Sequence, residues 1–303
     1  MTARNKLIVT GAHGFVAGSV LAQSGDEWQI HAVSRGEPLA GHDVLQWHTC
    51  DPRQPGQIAQ LFNEVRPQAV IHTAAVADID FCQTHPEAAR AANVDFTRTV
   101  ADLCADTGAR LVFCSTDTIF DGEHAPYSED APAGPVNLYA QTKVEAEQLV
   151  ARLGSQAVIA RLSLVVGLPL LGAGNSFLVR MIAALREGKE VSMPEQEVRS
   201  PVDVITVGRA LLELAAGNHH GIFHLAGHSR LTRLEMAQQI ARRFGLPQHL
   251  VVAQGGANAP GRAARPRDVS LNNAKACAQL ETPMLTLDDG LSLIRQSATT
   301  SAL

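Results

Sequence analysis

The run Leu7-Ile8-Val9-Thr10-Gly11-Ala12-His13-Gly14-Phe15-Val16-Ala17-Gly18 places a glycine-rich turn between an apolar strand and an apolar helix. Glycine permits a tight turn and a close approach of backbone to ligand, and a helix start offers free N–H groups to a pyrophosphate. The turn opens 165 residues in which short β-rich runs alternate with longer helical patterns. Strands are predicted at 6–10, 28–33, 69–72, 110–114 and 157–162, with helices around 14–23, 55–65, 86–107 and 139–153. The strands are almost unbroken apolar runs, as in a parallel sheet covered by helices on both faces. Right-handed crossovers then give an α/β doubly wound parallel sheet of Rossmann type, its crevice at the strand C-termini.

Beyond 167 the pattern loosens. Helices are predicted at 177–187, 206–216 and 233–244, and strands near 198–202 and 221–225. Residues 254–268 read as a loop carrying Arg262, Arg265 and Arg267, and 297–303 as a frayed end. A net charge of −5 opposes a nucleic-acid surface, which wants a basic field. The cysteines, Cys50, Cys82, Cys104, Cys114 and Cys277, form no CxxC pair and suggest a reducing compartment. The most apolar stretch, 162–171, is too short to span a bilayer. A cytoplasmic protein with no membrane and no nucleic-acid partner is expected. His219, His220, His224 and His228 fall on a strand and its flanking loops, so convergence on a metal is not expected.

The second strand ends His31-Ala32-Val33-Ser34-Arg35. An acidic residue here would grip the ribose diol of NAD, whereas Arg35 beside Ser34 suits the 2′-phosphate of NADP. NADP(H) is therefore preferred, with NAD(H) and a merely solvated Arg35 as the alternatives. Tyr139-Ala140-Gln141-Thr142-Lys143 puts a phenol and an ammonium on one helical face. A Lys143 ammonium is expected to lower the Tyr139 pKa, so that the phenol can pass a proton to a carbonyl oxygen while hydride reaches its carbon. Cys114-Ser115-Thr116-Asp117 ends the fourth predicted strand on the crevice side, where Thr116 can bond the same oxygen or simply cap a turn.

These motifs, with RPQAVIHTAAVADID at 66–80, STDTIFDGEHAPYSED at 115–130, RSPVDV at 199–204 and RPRDVSL at 265–271, resemble the extended short-chain dehydrogenase/reductases. Within them the similarity is greatest to the dTDP-4-dehydrorhamnose reductase subfamily. The resemblance implies a cofactor domain at 1–165 with returning segments about 204–226, and a smaller substrate-binding domain at 166–203 and 227–303. It implies Tyr139 as proton donor, Lys143 on the nicotinamide ribose and Thr116 orienting the carbonyl. Gly11, His13, Gly14, Phe15 and Val16 would cradle the diphosphate, Ser34 and Arg35 the adenosine end, and Asp51 the adenine. Thr73, Ala74 and Ala75 would line the cofactor, while Asn93 would support backbone. Asp117, Leu164, Arg199 and Arg265 are the candidate substrate contacts; Arg262, Arg265 and Arg267 suit either a nucleotide-sugar pyrophosphate or a solvated loop.

The chain also departs from the subfamily. Ala17 replaces the third glycine, Thr118 and Val76 replace tyrosines, and Leu164 replaces a tryptophan set against the sugar. TRLEMA at 232–237 lacks the aromatics of the matching S-W-Y-E-F-A segment. Three functions follow. The first is reduction of a 4-keto sugar, nucleotide-linked, by NADPH. The second is nucleotide-sugar epimerisation on the same fold; dehydration is disfavoured because Thr118 stands where a dehydratase has its glutamate. The third is a non-catalytic NADP-binding regulatory subunit, since the β subunit of methionine adenosyltransferase resembles the same subfamily. A homodimer through the helices at 86–107 and 139–153 is the alternative to their packing within one chain.

Overall fold

The computed structural model describes residues 4–39, 45–172, 174, 176–254 and 262–300. Seven parallel strands form the central sheet: β1 (Asn5–Thr10), β2 (Trp28–Ser34), β3 (Gln46–Thr49), β4 (Ala69–His72), β5 (Arg110–Thr116), β6 (Ala157–Leu162) and β7 (Gly221–Leu225). Their order is β7-β6-β5-β4-β1-β2-β3, so the order reverses between β1 and β4. The helices around it are α1 (Phe15–Gln23), α2 (Pro55–Val65), α3 (Phe96–Thr107), α4 (Leu138–Ala151) and α6 (Val204–Ala216), with α5 (Phe177–Arg186) between α4 and α6 in the chain.

Strand side chains alternate between two cores, which explains the unbroken apolar runs. Leu7, Val9, Ile71, Val112 and Val158 meet Ala17 and Val20 of α1 and Val207, Leu211 and Leu214 of α6. Ile8, Val70, Leu111, Phe113 and Ile159 meet Phe62 of α2, Phe96, Val100 and Cys104 of α3, and Ala146 and Val150 of α4. A third core joins Leu178, Met181 and Leu185 of α5 to Met236 and Ile240 of α7 (Arg233–Arg243) and Leu291 and Ile294 of α8 (Leu287–Thr300).

Some local expectations change. β3 has no apolar run because it is a half-buried edge strand, paired only with β2. The frayed end expected from 297 is helical to Thr300, anchored by Leu291 and Ile294; residues 301–303, like 255–261 of the predicted loop, lie outside the described residues. The helix expected over 86–107 is interrupted by a π-turn at Ala91–Asp95. The C-terminal part does not keep wholly to the third core, because Ala276, Leu280 and Met284 pack on the sheet. Among the described residues, no helix is long and apolar enough to cross a membrane.

Between α4 and β6 the Arg161 guanidinium meets the Glu147 carboxylate at 2.9 Å, both groups buried. Arg161 also donates to the Glu129 carbonyl at 3.1 Å. Removing one partner of such a pair leaves an uncompensated buried charge. Glu147→Ala is therefore expected to lower the unfolding free energy by about 3–5 kcal/mol in urea titrations; a loss near that of an exposed pair would contradict this reading.

Candidate active site

The strand order reverses between β1 and β4, and the crevice opens there at their C-terminal ends. Thr10 Oγ1 bonds His72 Nδ1 at 2.7 Å, and His72 Nε2 bonds Thr97 Oγ1 at 3.0 Å. Burial holds the His72 pKa down at about 3, so this relay is uncharged at neutral pH. The Thr73 hydroxyl donates to the Thr10 carbonyl at 2.7 Å, drawing the chain after β4 across the end of β1. Gly11 turns there with φ +70°, and a Cβ on it would lie 2.8 Å from both N and Cα of Ala74. Only glycine meets both demands. Gly14 then starts α1 in an extended conformation without a side-chain cap.

Gly11, His13, Gly14, Ser34, Arg35, Thr73, Ala74 and Ala75 line one part of the crevice. Phe15, Val16, Asp51 and Arg53 continue it. Asp51 receives hydrogen bonds from the Arg53 guanidinium and backbone N–H, which hold its carboxyl down at about 2. Arg53, missed in the sequence, thus joins Arg35 in this part of the crevice; two residues after Asp51, it had no motif to mark it. Val16, Thr73 and Ala75 are shared with a second chamber containing Thr116, Tyr139 and Lys143. The structure therefore brings the predicted cofactor-binding and catalytic positions into one continuous crevice.

Asn137 caps α4, accepting from the Ala140 N–H at 2.9 Å, and so sets Tyr139 in the first turn. The π-turn at Ala91–Asp95 places Asn93 beside the loop after β4. Its Oδ1 accepts from the Val76 N–H at 2.8 Å, and its Nδ2 reaches the Val76 carbonyl at 3.0 Å. That amide supports backbone and also bonds Thr142 Oγ1. One turn after Tyr139, Lys143 Nζ donates to the Cys114 carbonyl at 2.7 Å and lies 4.1 Å from the Phe113 ring centroid. Burial lowers the Lys143 pKa to about 8.

The expected pull of Lys143 on Tyr139 is not what this geometry gives. Burial drives the phenol pKa up and outweighs the hydrogen bond with Thr116, which lowers it, while Lys143 is engaged by Cys114. Tyr139 is consequently protonated throughout the neutral range, the form a proton donor needs.

The candidate substrate residues divide. Asp117, Leu164, Arg199 and Arg265 all line the second chamber. Asp117 accepts from Ser163 Oγ at 3.1 Å and lies 4.0 Å from Arg199 Nε; burial raises its pKa against the opposing Arg199 charge. Arg265, expected to clamp a ligand, has its fork on both Asp80 oxygens at 2.8 Å. It ties the loop to the helix Ile79–Thr84. Arg262 is likewise held by Glu197 at 2.8 Å. Arg233, Phe177 and Glu197 also line this chamber. The only signal for Arg233 was the missing aromatic in TRLEMA. Of the four histidines at 219–228, His224 is buried and its Nδ1 hydrogen-bonds the Asn272 carbonyl at 3.0 Å.

The Lys143 shift has a sign that can be checked. Between about 8 and its ordinary value of 10.5, the unfolded chain keeps a proton the folded chain has lost. This group therefore makes the folded state more stable as pH rises through that window. In paired urea titrations of the parent and Lys143→Met, the parent should gain relative stability from pH 7 to pH 10. A flat or falling difference would contradict the assignment.

Known proteins resemble this chain over most of its length. Residues 5–298 match the RmlD substrate binding domain family. The methionine adenosyltransferase 2 subunit beta of Bos taurus is 30% identical over 283 residues, covering 91% of this chain and 82% of that protein. A Haloferax volcanii protein named a probable low-salt glycan biosynthesis reductase, Agl14, is 30% identical over 297 residues, covering 94% and 96%. The fold is shared with dTDP-4-dehydrorhamnose reductase from Bacillus anthracis, solved in complex with NADP. The TM-score is 0.85, with 24% identity and coverage of 97% and 99%. With its family match running from β1 into the last helix, the chain belongs to the RmlD substrate binding domain family, within the extended short-chain dehydrogenase/reductases.

Proposed function

We propose that this protein is an NADPH-dependent reductase of a 4-keto sugar carried on a nucleotide. The observation that carries the reading is the buried set Thr116, Tyr139 and Lys143 on the wall of a chamber continuous with the Gly11 turn. Residues 1–165 with 204–226 hold the cofactor in this account, and 166–203 with 227–303 enclose the sugar.

The crevice fits a dinucleotide. Gly11 lets the chain after β4 pass close over the end of β1, and α1 begins beside it with no side-chain cap on its N-terminus. Gly11, His13, Gly14, Phe15 and Val16 would hold the diphosphate, and Ser34, Arg35 and Arg53 the 2′-phosphate. Asp51 lies towards the adenine, Thr73 to Ala75 line the path, and Lys143 reaches the nicotinamide ribose. When bound, NADPH supplies a hydride. Tyr139 delivers its proton to the carbonyl oxygen, and Thr116 orients that oxygen by a hydrogen bond. The buried position of both groups keeps bulk water from competing for the proton.

A second reading has a specific support: mammalian relatives 30% identical to this chain are named as subunits of another enzyme. A protein of that kind would bind NADP and serve a partner.

One set of assays separates the two. The parent should oxidise NADPH faster than NADH with dTDP-4-keto-6-deoxy sugars. Tyr139→Phe should lose about 10²–10⁴-fold in kcat while keeping its NADPH affinity, the usual size of a general-acid contribution. Arg35→Ala should narrow the preference for NADPH by roughly tenfold or more, as loss of one charged hydrogen bond does. Unchanged turnover in Tyr139→Phe would overturn the mechanism, and NADPH binding without turnover in the parent would favour the partner-serving role.

A further inference from the structure

The sugar side of the chamber is built from charge where the related reductases place aromatic surface. Leu164 stands for a tryptophan and Arg233 for another. Arg233 begins α7, and its guanidinium carbon lies 5.1 Å from the Phe177 ring centroid, so the one aromatic on this wall backs a cation. Its Nε is sealed from solvent and has no hydrogen-bond partner among the described residues. Sealed while the chamber stands open, that Nε is not the atom a ligand would meet; Arg233 nevertheless lines the chamber and, among the described residues, forms no ion pair.

The neighbouring charges do not cancel it. Glu197 is engaged by Arg262 at 2.8 Å and lies 3.8 Å from Arg199, while Asp117 lies 4.0 Å from Arg199. Arg262 and Arg199 thus engage Glu197 and Asp117, and neither carboxylate forms an ion pair with Arg233. Burial lowers the Arg233 pKa only to about 10, so its charge persists at neutral pH.

We propose that Arg233 is a specificity-determining residue that receives a carboxylate borne on the sugar ring of the substrate, so that the preferred substrate is an acidic keto sugar. This rests on the reductase reading, which fixes where the reacting carbon lies. Asp117 follows Thr116 directly and lies 4.0 Å from Arg199, and Arg233 acts on it electrostatically. In this reading the Arg233 charge lies in the same chamber as the carbonyl that Thr116 and Tyr139 would hold. In a nucleotide-linked 4-keto sugar the diphosphate leaves from C1, across the ring from C4, whereas a C5 carboxylate is adjacent to C4. Arg233 is assigned to the second anion and not the first.

The test uses two probes that share a nucleotide and differ only in that group, UDP-glucuronate and UDP-glucose, titrated calorimetrically into protein saturated with NADP⁺. The parent should bind UDP-glucuronate about 10–100-fold more tightly, the range for one charged hydrogen bond in a shielded site. Arg233→Met should abolish the difference by weakening UDP-glucuronate alone, and Arg233→Lys should keep part of it. Equal affinities in the parent, or a preference that survives in Arg233→Met, would overturn the proposal. So would equal weakening of both probes in both variants, which would put Arg233 on the diphosphate or in a structural role. Binding needs no turnover, so a parent that prefers UDP-glucuronate yet reduces no keto sugar would sink the reductase reading instead.

Discussion

The contact between Gly11 and Ala74 governs the rest of the molecule. Two neighbouring parallel strands, β1 and β4, end side by side, and the chain after β4 must cross the end of β1 within ordinary contact distance. A side chain at Gly11 would press on the Ala74 backbone, and the left-handed turn there excludes other residues on its own account. The hydrogen bonds from Thr10 to His72 and from Thr73 to Thr10 hold the two strand ends at that spacing. Everything that faces the crevice takes its position from this junction, including the start of α1 and the loop that Asn93 fixes through Val76.

The chemistry then follows from burial more than from pairing. Tyr139, Lys143 and Asp117 are each pushed towards their uncharged forms by desolvation. For Tyr139 this keeps a proton where reduction needs one. Lys143 is held as a cation at neutral pH with its ammonium on the Cys114 carbonyl. The pair lies one helical turn apart yet serves separate contacts, so spacing in a sequence does not by itself make two groups titrate together. The arginines show the same division. Arg265 and Arg262 have partners that anchor a loop, whereas Arg233 lines the chamber with no ion-pair partner among the described residues.

Much of this was legible before any coordinates. Continuous apolar runs announced a sheet covered on both faces, and the glycine turn, the end of β5 and the start of α4 marked the crevice. What escaped was set by tertiary context. β3 is an edge strand with polar residues, which carries no periodic signal. The π-turn at Ala91–Asp95 depends on how Asn93 meets Val76, a contact between distant segments. The binding of Arg265 to Asp80 joins residues 185 apart, and nothing in either segment alone distinguishes that fork from a free phosphate clamp. Arg233 and Phe177 are likewise brought together only by the third core.

In the proposed reaction hydride reaches a sugar carbonyl carbon in this chamber while Tyr139 protonates its oxygen. The most direct test is to run the reaction with NADPH deuterated at the transferred position of its nicotinamide and to locate the label by NMR and mass spectrometry. The account predicts a single deuterium on the former carbonyl carbon, delivered to one face. Product without cofactor deuterium, or deuterium from solvent D₂O on a neighbouring carbon, would contradict it and point to epimerisation instead.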